Sequence, residues 1–445
     1  MNADFLGGVV EGFYGQPWTQ AQRFKLFDQM VDWGLNTYFY APKDDMKHRA
    51  IWRELYNDTE LASVTELIRA CDERKLRFIY GLSPGLNIRF SDSLELAAIQ
   101  ARFEQLIAHG ARHFALLFDD LPGEISESDR QAFESVAEAQ ASVTNQVFHW
   151  LRDQFPDARM LFCPTPYCGR MDNARLGGEG YLETIGTSLD PDVDVFWTGP
   201  EIISAEISVD SIEQLTSRLR RPPLIWDNLH ANDYDLRRLY CGPYSGRAPE
   251  LKKHLRGILT NPNNEFPINF IPLRTLGAYL NNDRYEPREA YLEAVAAWAE
   301  EYTSIGAPIS VEDVTLLADC YYLPHQEGPA AESLIDLCQR LVRDDVSHWG
   351  DGEDQFCQLN ARVQSMFESL TELKDRDLFY AWSRRAWELK EELDLFQTYL
   401  AKKKAGADGT NGIKSPSHLP LTYRGGTVAR LQRQLSMDDE GRFQP

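Results

Sequence analysis

Three features of the chain predict its fold class, an α/β chain built as a (β/α)8 TIM-type barrel followed by an α-helical bundle. Eight short apolar runs, each ending in glycine or polar residues, recur between Phe5 and Thr260. The segments between them carry apolar residues at helical spacing, most clearly at Thr19–Trp33, Glu60–Lys75, Leu94–His109 and Asp129–Phe155. Beyond residue 285 the short runs stop and only the helical period continues. Eight alternating β and α units of this length fit a closed barrel, with a doubly wound sheet as the alternative.

The elements follow in order. The apolar runs are Phe5–Val10, Asn36–Tyr40, Arg77–Leu82, His113–Phe118, Met160–Cys163, Val193–Trp197, Leu224–Trp226 and Gly257–Thr260. The fourth is the most telling, because Phe114–Phe118 is uninterruptedly apolar and reads as a strand buried on both faces. Thr19 and Thr59 read as helix N-caps, and Gly34 and Gly110 as helix stops. Pro287–Tyr302, Val311–Tyr322, Ala330–Trp349, Glu353–Leu373 and Asp377–Leu400 read as the helices of a bundle. The expected organisation is a barrel over 1–285, a bundle over 286–400 and, from its Gly, Lys, Ser and Pro content, a flexible tail over 401–445.

Composition excludes several functions. With 43% hydrophobic residues the 445-residue chain can bury a large core, and its formal charge of −22 disfavours nucleic acid and anionic membranes as partners. The seven cysteines, Cys71, Cys163, Cys168, Cys241, Cys320, Cys338 and Cys357, lack the paired spacing of zinc ribbons or redox motifs, so reduced, buried thiols are expected. Met1–Phe5 has neither a basic nor an apolar leader segment, and no run approaches a membrane span, which suggests a cytoplasmic protein.

A barrel keeps its chemistry at the C-terminal strand ends. The ends here carry Glu11–Gly15, Ala41–Asp45, Ser83–Gly85, Asp119 and Asp120, Thr165–Tyr167, Trp197–Pro200, Trp226–Asn228 with His230, Asn232 and Asp233, and Asn261–Asn263. Carboxylates, amides, a lysine and aromatic rings on one rim suit a neutral polyhydroxyl ligand. The adjacent Asp119 and Asp120 are the candidate acid and base, since one carboxylate raises the pKa of its neighbour. They can converge only if the backbone turns at Asp119. Each residue has a plainer reading too. Asp119 or Asp120 could cap a helix, Lys43 beside Asp44 and Asp45 reads as a solvated ion pair, Trp197 and Trp226 as core, Tyr167 as a strand cap and Gly12 as a turn glycine. Asp227, His230 and Asp233 could bind a metal, although their spacing does not single them out.

GVVEGFYGQPW, NTYFYAPKDD, YGLSPGL, FALLFDD, FCPTPYCG, WTGP, IWDNLHANDYD and LTNPN, in that order, resemble glycoside hydrolase family eighty-four, the O-GlcNAcase family of β-N-acetylglucosaminidases. The resemblance implies retention of configuration without metal or other cofactor. The substrate's acetamido oxygen would act as nucleophile, through an oxazoline intermediate. Carried over by motif, Asp119 would accept the acetamido N–H, and Asp120 would be general acid and then base. Tyr167 would bind the acetamido oxygen and, with Thr198 and Trp226, form the acetyl pocket. Gly12 and Lys43 would hold the 3-hydroxyl, Asp233 the 4- and 6-hydroxyls, Asn261 the 6-hydroxyl, and Asn228 would lie near the leaving oxygen. Tyr14 would line the same rim.

The resemblance further implies O-GlcNAc-modified proteins or peptides, or GlcNAc-containing glycans, as partners, and a homodimer formed through the helical region. The readings it competes with are an inactive GlcNAc-binding or scaffold barrel, a hexosaminidase of small glycans and a metal-dependent barrel enzyme using Asp119 and Asp120 as ligands.

Overall fold

The structure is a computed structural model and describes residues 4–406, 425–437 and 443–444. It divides into two compact units. The first comprises the chain up to Asp233 together with Tyr244–Asn264 and Leu276–Tyr285, and the second comprises Tyr234–Pro243, Glu265–Thr275 and the described residues from Glu286 onward.

The first unit holds a closed barrel of eight strands in sequence order: β1 (Leu6–Glu11), β2 (Thr37–Tyr40), β3 (Arg77–Leu82), β4 (His113–Leu117), β5 (Met160–Cys163), β6 (Asp194–Trp197), β7 (Leu224–Asp227) and β8 (Gly257–Thr260). Every pairing is parallel, and β8 closes on β1 with Leu6 opposite Gly257. The expected eight units are all present, and the doubly wound alternative is ruled out by that closure.

Side chains one residue apart on each strand take opposite sides. Ala115 and Leu117 of β4 join Leu6, Val10, Phe39, Leu161, Phe196 and Trp226 in the barrel lumen. Phe114 and Phe118 face outward, Phe114 stacking on Phe103 with centroids 4.2 Å apart and Phe118 lying 5.8 Å from Phe90. The whole run Phe114–Phe118 is fully buried, as its composition demands. Near the top of the lumen Phe39 stacks on Phe196 at 5.6 Å, and the edge of Trp226 packs against both. This aromatic cluster forms the floor beneath the strand ends.

Gly8 is required by proximity rather than by backbone conformation. A Cβ there would sit 1.9 Å from the Thr37 carbonyl oxygen of the neighbouring strand. Gly8→Ala is therefore expected to destabilise the barrel by about 1–3 kcal/mol, read as a melting temperature several degrees lower. A variant that melts with the parent would contradict this close approach.

Helix boundaries follow local chemistry. Thr19 caps Gln20–Asp32 in a reciprocal box with Gln22. The next helix, Asp58–Glu73, is capped by Asn57 rather than Thr59, because Asn57 and Glu60 satisfy each other's backbone N–H groups. Gly34 and Gly110 follow helix ends with positive φ, as expected of stops. The segment read as one helix over 129–155 is two, Glu127–Arg130 and Val136–Gln154, the second started afresh by the Ser135 cap.

The second unit contains the helices Pro287–Trp298, Val311–Cys320, Pro329–Arg343, Gly352–Thr371 and Arg376–Lys404. The helix expected to run to Trp349 stops at Arg343, where Asp344 turns extended. Buried Asp319 ties the unit together, accepting from Arg288, from the Tyr291 hydroxyl at 2.7 Å and from the Ala330 N–H at 2.9 Å. Two stretches assigned by sequence to the barrel group here instead. The N–H groups of Cys241 and Gly242 bond to the carbonyls of Tyr321 and Tyr322, and Phe270 stacks on Trp298. Within the stretch expected to be a tail, a further helix, Thr427–Gln432, belongs to this unit through the Thr427 hydroxyl, which donates to the Cys320 carbonyl at 2.9 Å. Residues 407–424, 438–442 and 445 of that stretch lie outside the described residues.

Candidate active site

Strand parity carries Asp119 into the lumen, two residues on from Leu117. Asp120 would then point away, but it adopts φ 56°, a left-handed conformation that aspartate tolerates better than most residues. The turn therefore lies at Asp120, one residue later than the sequence reading placed it. Just before the pair, the Phe118 carbonyl is held by the Thr165 hydroxyl at 2.9 Å, which in turn accepts from Gln140 Nε2 at 2.9 Å. Tyr181 donates to Gln140 Oε1, completing a buried chain behind the strand end.

The two acids have unlike surroundings. Asp119 is 7% exposed, whereas Asp120 is open to solvent. Lys43 Nζ lies 2.5 Å from Asp119 Oδ2, and Arg49 Nη1 lies 3.8 Å from the same oxygen. Burial pushes the Asp119 carboxyl up, but these two cations outweigh it and hold it below the usual carboxylate range. Its other oxygen, Oδ1, is buried and has no hydrogen-bond partner. Asp120 instead accepts from two phenols, Tyr14 at 2.8 Å on Oδ2 and Tyr167 at 2.9 Å on Oδ1. Burial, and then the nearby Asp120 charge, push both phenols well above their ordinary value, so they remain proton donors.

The other expected residues gather on this rim. Gly12 leaves room for Trp226, whose ring would lie 2.4 Å from a Cβ at that position. Lys43 is not the solvated loop cation that its acidic neighbours suggest. It is 7% exposed and lies 5.9 Å from the ring centroids of both Tyr14 and Trp226. The Thr198 hydroxyl donates to the Glu201 carbonyl at 2.8 Å.

Asn228 is a hub. Its Oδ1 accepts from Trp226 Nε1 at 3.1 Å and from Asn261 Nδ2 at 3.0 Å, while its amide donates to the Ile202 carbonyl. Asn261 Oδ1 is buried without a partner. Asp233 accepts from the Tyr14 N–H at 3.0 Å, and burial raises its carboxyl above the ordinary value.

The metal-ligand reading of Asp227, His230 and Asp233 does not fit this geometry. Both oxygens of fully buried Asp227 are taken by Arg247, at 2.8 Å each, and Tyr244 adds a third bond at 2.7 Å. Among the described residues no three His, Cys, Asp or Glu side chains are grouped to hold a metal ion.

Sequence reading missed Arg49 and His48. His48 is fully buried, and burial and the Lys43 ammonium push it down to about 4, so the ring is neutral. It donates from Nδ1 to the Gly81 carbonyl at 2.8 Å, and Nε2 has no partner. Both residues stand a few positions after Lys43 in KDDMKHR, and an arginine and a histidine so close to a rim lysine were the available signal.

Fold and site define the class first, a closed (β/α)8 barrel with two unlike carboxylates side by side at the end of its fourth strand. The chain belongs to the β-N-acetylglucosaminidase family, whose model matches residues 7–307. It is 47% identical over 279 residues to the protein O-GlcNAcases of Mus musculus and Rattus norvegicus, a match covering 63% of this chain and 30% of each relative. The aligned part of the chain thus spans 30% of the length of those curated relatives. Among solved structures it is similar to a mutant of the Thermobaculum terrenum O-GlcNAc hydrolase, with 28% identity, a TM-score of 0.78 and coverage of 89% of this chain and 83% of that one.

Proposed function

We propose that the chain is a retaining β-N-acetylglucosaminidase that removes O-linked N-acetylglucosamine from serine and threonine of proteins by substrate-assisted catalysis. The observation that carries this reading is the state of Asp119. One oxygen is clamped by cations, so the carboxylate stays ionised, and the other is a buried acceptor with nothing to accept. An acetamido N–H supplies that donor.

In the first step the acetamido oxygen attacks the anomeric carbon, the glycosidic bond breaks, and Asp120 gives its proton to the leaving oxygen. Asp119 holds the N–H and balances the positive charge that develops on the oxazoline ring. In the second step Asp120 takes a proton from water, which attacks the anomeric carbon and reopens the ring. Two displacements retain configuration.

Tyr167 moves its hydroxyl from Asp120 to the acetamido oxygen when the sugar enters. Trp226 and Thr198 enclose the acetyl methyl, Lys43 and the Gly12 carbonyl hold the 3-hydroxyl, and Asp233 holds the 4- and 6-hydroxyls. The unpartnered Asn261 Oδ1 takes the 6-hydroxyl, and Asn228 lies near the leaving oxygen.

Aryl β-N-acetylglucosaminides whose acetyl group bears one, two and three fluorines test this mechanism. The rate is expected to fall at each step, because fluorine withdraws charge from the nucleophilic oxygen. Rates indifferent to fluorination would exclude the acetamido group as nucleophile. Comparing sugar release from O-GlcNAc-modified protein with release from chitobiose tests the substrate class. The reading carries with it a cytoplasmic place of action, which the seven free thiols suit. It also carries a homodimer, checked by light scattering at micromolar concentration.

A further inference from the structure

We propose that Arg49 is a positioning residue for Asp119, the cation that takes hold of the Oδ2 oxygen when a bound sugar draws the Lys43 ammonium onto its own hydroxyl. This assignment rests on the glycosidase reading above and deepens it.

In the free site both cations address one oxygen, Lys43 at 2.5 Å and Arg49 Nη1 at 3.8 Å. At the longer distance the guanidinium feels the carboxylate charge but makes no hydrogen bond. Arg49 is 8% exposed, and Nη1 is buried with no acceptor at all. A buried donor in that condition costs free energy until an acceptor reaches it. Closing on Oδ2 requires a movement of only about 1 Å.

The chemistry needs such a reserve. Asp119 is 7% exposed, and a carboxylate so enclosed stays ionised only beside a counter-charge. An ammonium donates in three divergent directions, so a Lys43 that turns one N–H to a sugar hydroxyl loosens its contact with Asp119. Left alone at that moment, Oδ2 would take up a proton and the oxazoline would lose its counter-charge. A guanidinium cannot be deprotonated at any relevant pH, so Arg49 keeps the site anionic throughout.

The titratable and charged groups facing Asp119 are Lys43, His48 and Arg49 from the segment after β2, Asp120 beside it, Tyr14 from the segment after β1, and Cys163 and Tyr167 from β5 and beyond. Of these only Lys43 and Arg49 carry positive charge, since burial keeps His48 neutral.

The test compares the parent protein with Arg49→Met and Arg49→Lys on an aryl β-N-acetylglucosaminide across the acidic range. The acid limb of kcat reports the sugar complex, and that of kcat/KM reports the free protein. Arg49→Met is expected to move the kcat limb upward by about one pH unit and the kcat/KM limb by less, because Lys43 still holds Asp119 in the free site. Arg49→Lys is expected to restore both limbs. Equal movement of the two limbs, or no movement in a variant that melts as the parent does, overturns the assignment. Arg49→Gln replaces Arg49→Met if the latter fails to fold.

Calorimetric binding of the thiazoline analogue of the intermediate is the independent readout, expected to be about tenfold weaker in Arg49→Met. Unchanged affinity overturns the proposal. A parent that binds the thiazoline but turns nothing over sinks the hydrolase reading alone, and calorimetry then decides Arg49. A parent that does neither overturns both.

Discussion

Asp120→Ala is expected to slow release of N-acetylglucosamine from a serine side chain by on the order of 10²–10⁴, the usual contribution of a positioned general acid. The loss should depend on the leaving group. A dinitrophenolate departs without help, so an activated aryl glycoside should pass through the first step almost unimpaired. Hydrolysis of the intermediate would then limit the rate, because the same carboxyl acts as base. Added azide needs no base and should restore turnover, giving the β-glycosyl azide. The variant should still fold, at a cost of about 1–2 kcal/mol for an alanine in the left-handed conformation, since Asp120 is exposed and its partners Tyr14 and Tyr167 lose a shared acceptor. A uniform loss across leaving groups would remove Asp120 from the acid role.

Arg247→Met is expected to cost about 3–5 kcal/mol of stability, the largest effect on the fold foreseen for a single change. The guanidinium makes two bonds of 2.8 Å to Asp227, whose side chain has no exposure, and also donates to the carbonyls of Ser204, Ala205 and Ser245. Removing it leaves a carboxylate stranded between Trp226 and Asn228. The melting temperature should fall by roughly 10 °C, and activity should fall with it as the β7 end loosens. Adding Asp227→Asn to the variant should recover part of the loss, because the stranded charge is then gone. A single variant that melts with the parent would show that the ion pair is dispensable.

Much of the barrel is legible in the chain because the rule that makes it is local. A strand covered on both faces must be apolar along its length, and the chain can become polar only where the strand reaches the rim. Phe114–Phe118 followed by Asp119 states this in six residues. Parity also puts Asp119 on the same side as Ala115 and Leu117, but with both faces apolar only the structure shows that this side is the lumen. The left-handed turn at Asp120 was less accessible, since Leu121, Pro122 and Gly123 announce a turn nearby but not which residue makes it. Helix caps failed for a similar reason at Asn57, where Thr59 was an equally acceptable capping residue by type.

Pairings between distant segments were the least visible. Lys43 stands next to Asp44 and Asp45, and local chemistry assigns it to them, yet its partner is Asp119, 76 residues away. Asp227 looked free to bind a metal until Arg247, 20 residues on, claimed both oxygens. Asn228 appeared as one more polar rim residue, whereas it joins Trp226 to Asn261 across two strand ends.

By itself the sequence determined the order of strands and helices, the rim on which the polar residues stand and, through its ordered motifs, the family. Those properties depend on hydrophobic period and on residue type, which neighbouring positions encode. Only the tertiary structure decided that Lys43 and Arg49 share one oxygen of Asp119, that the other oxygen is left without a donor, and that two tyrosines hold Asp120. Closure of the barrel sets these distances, because it brings together side chains that no local rule connects.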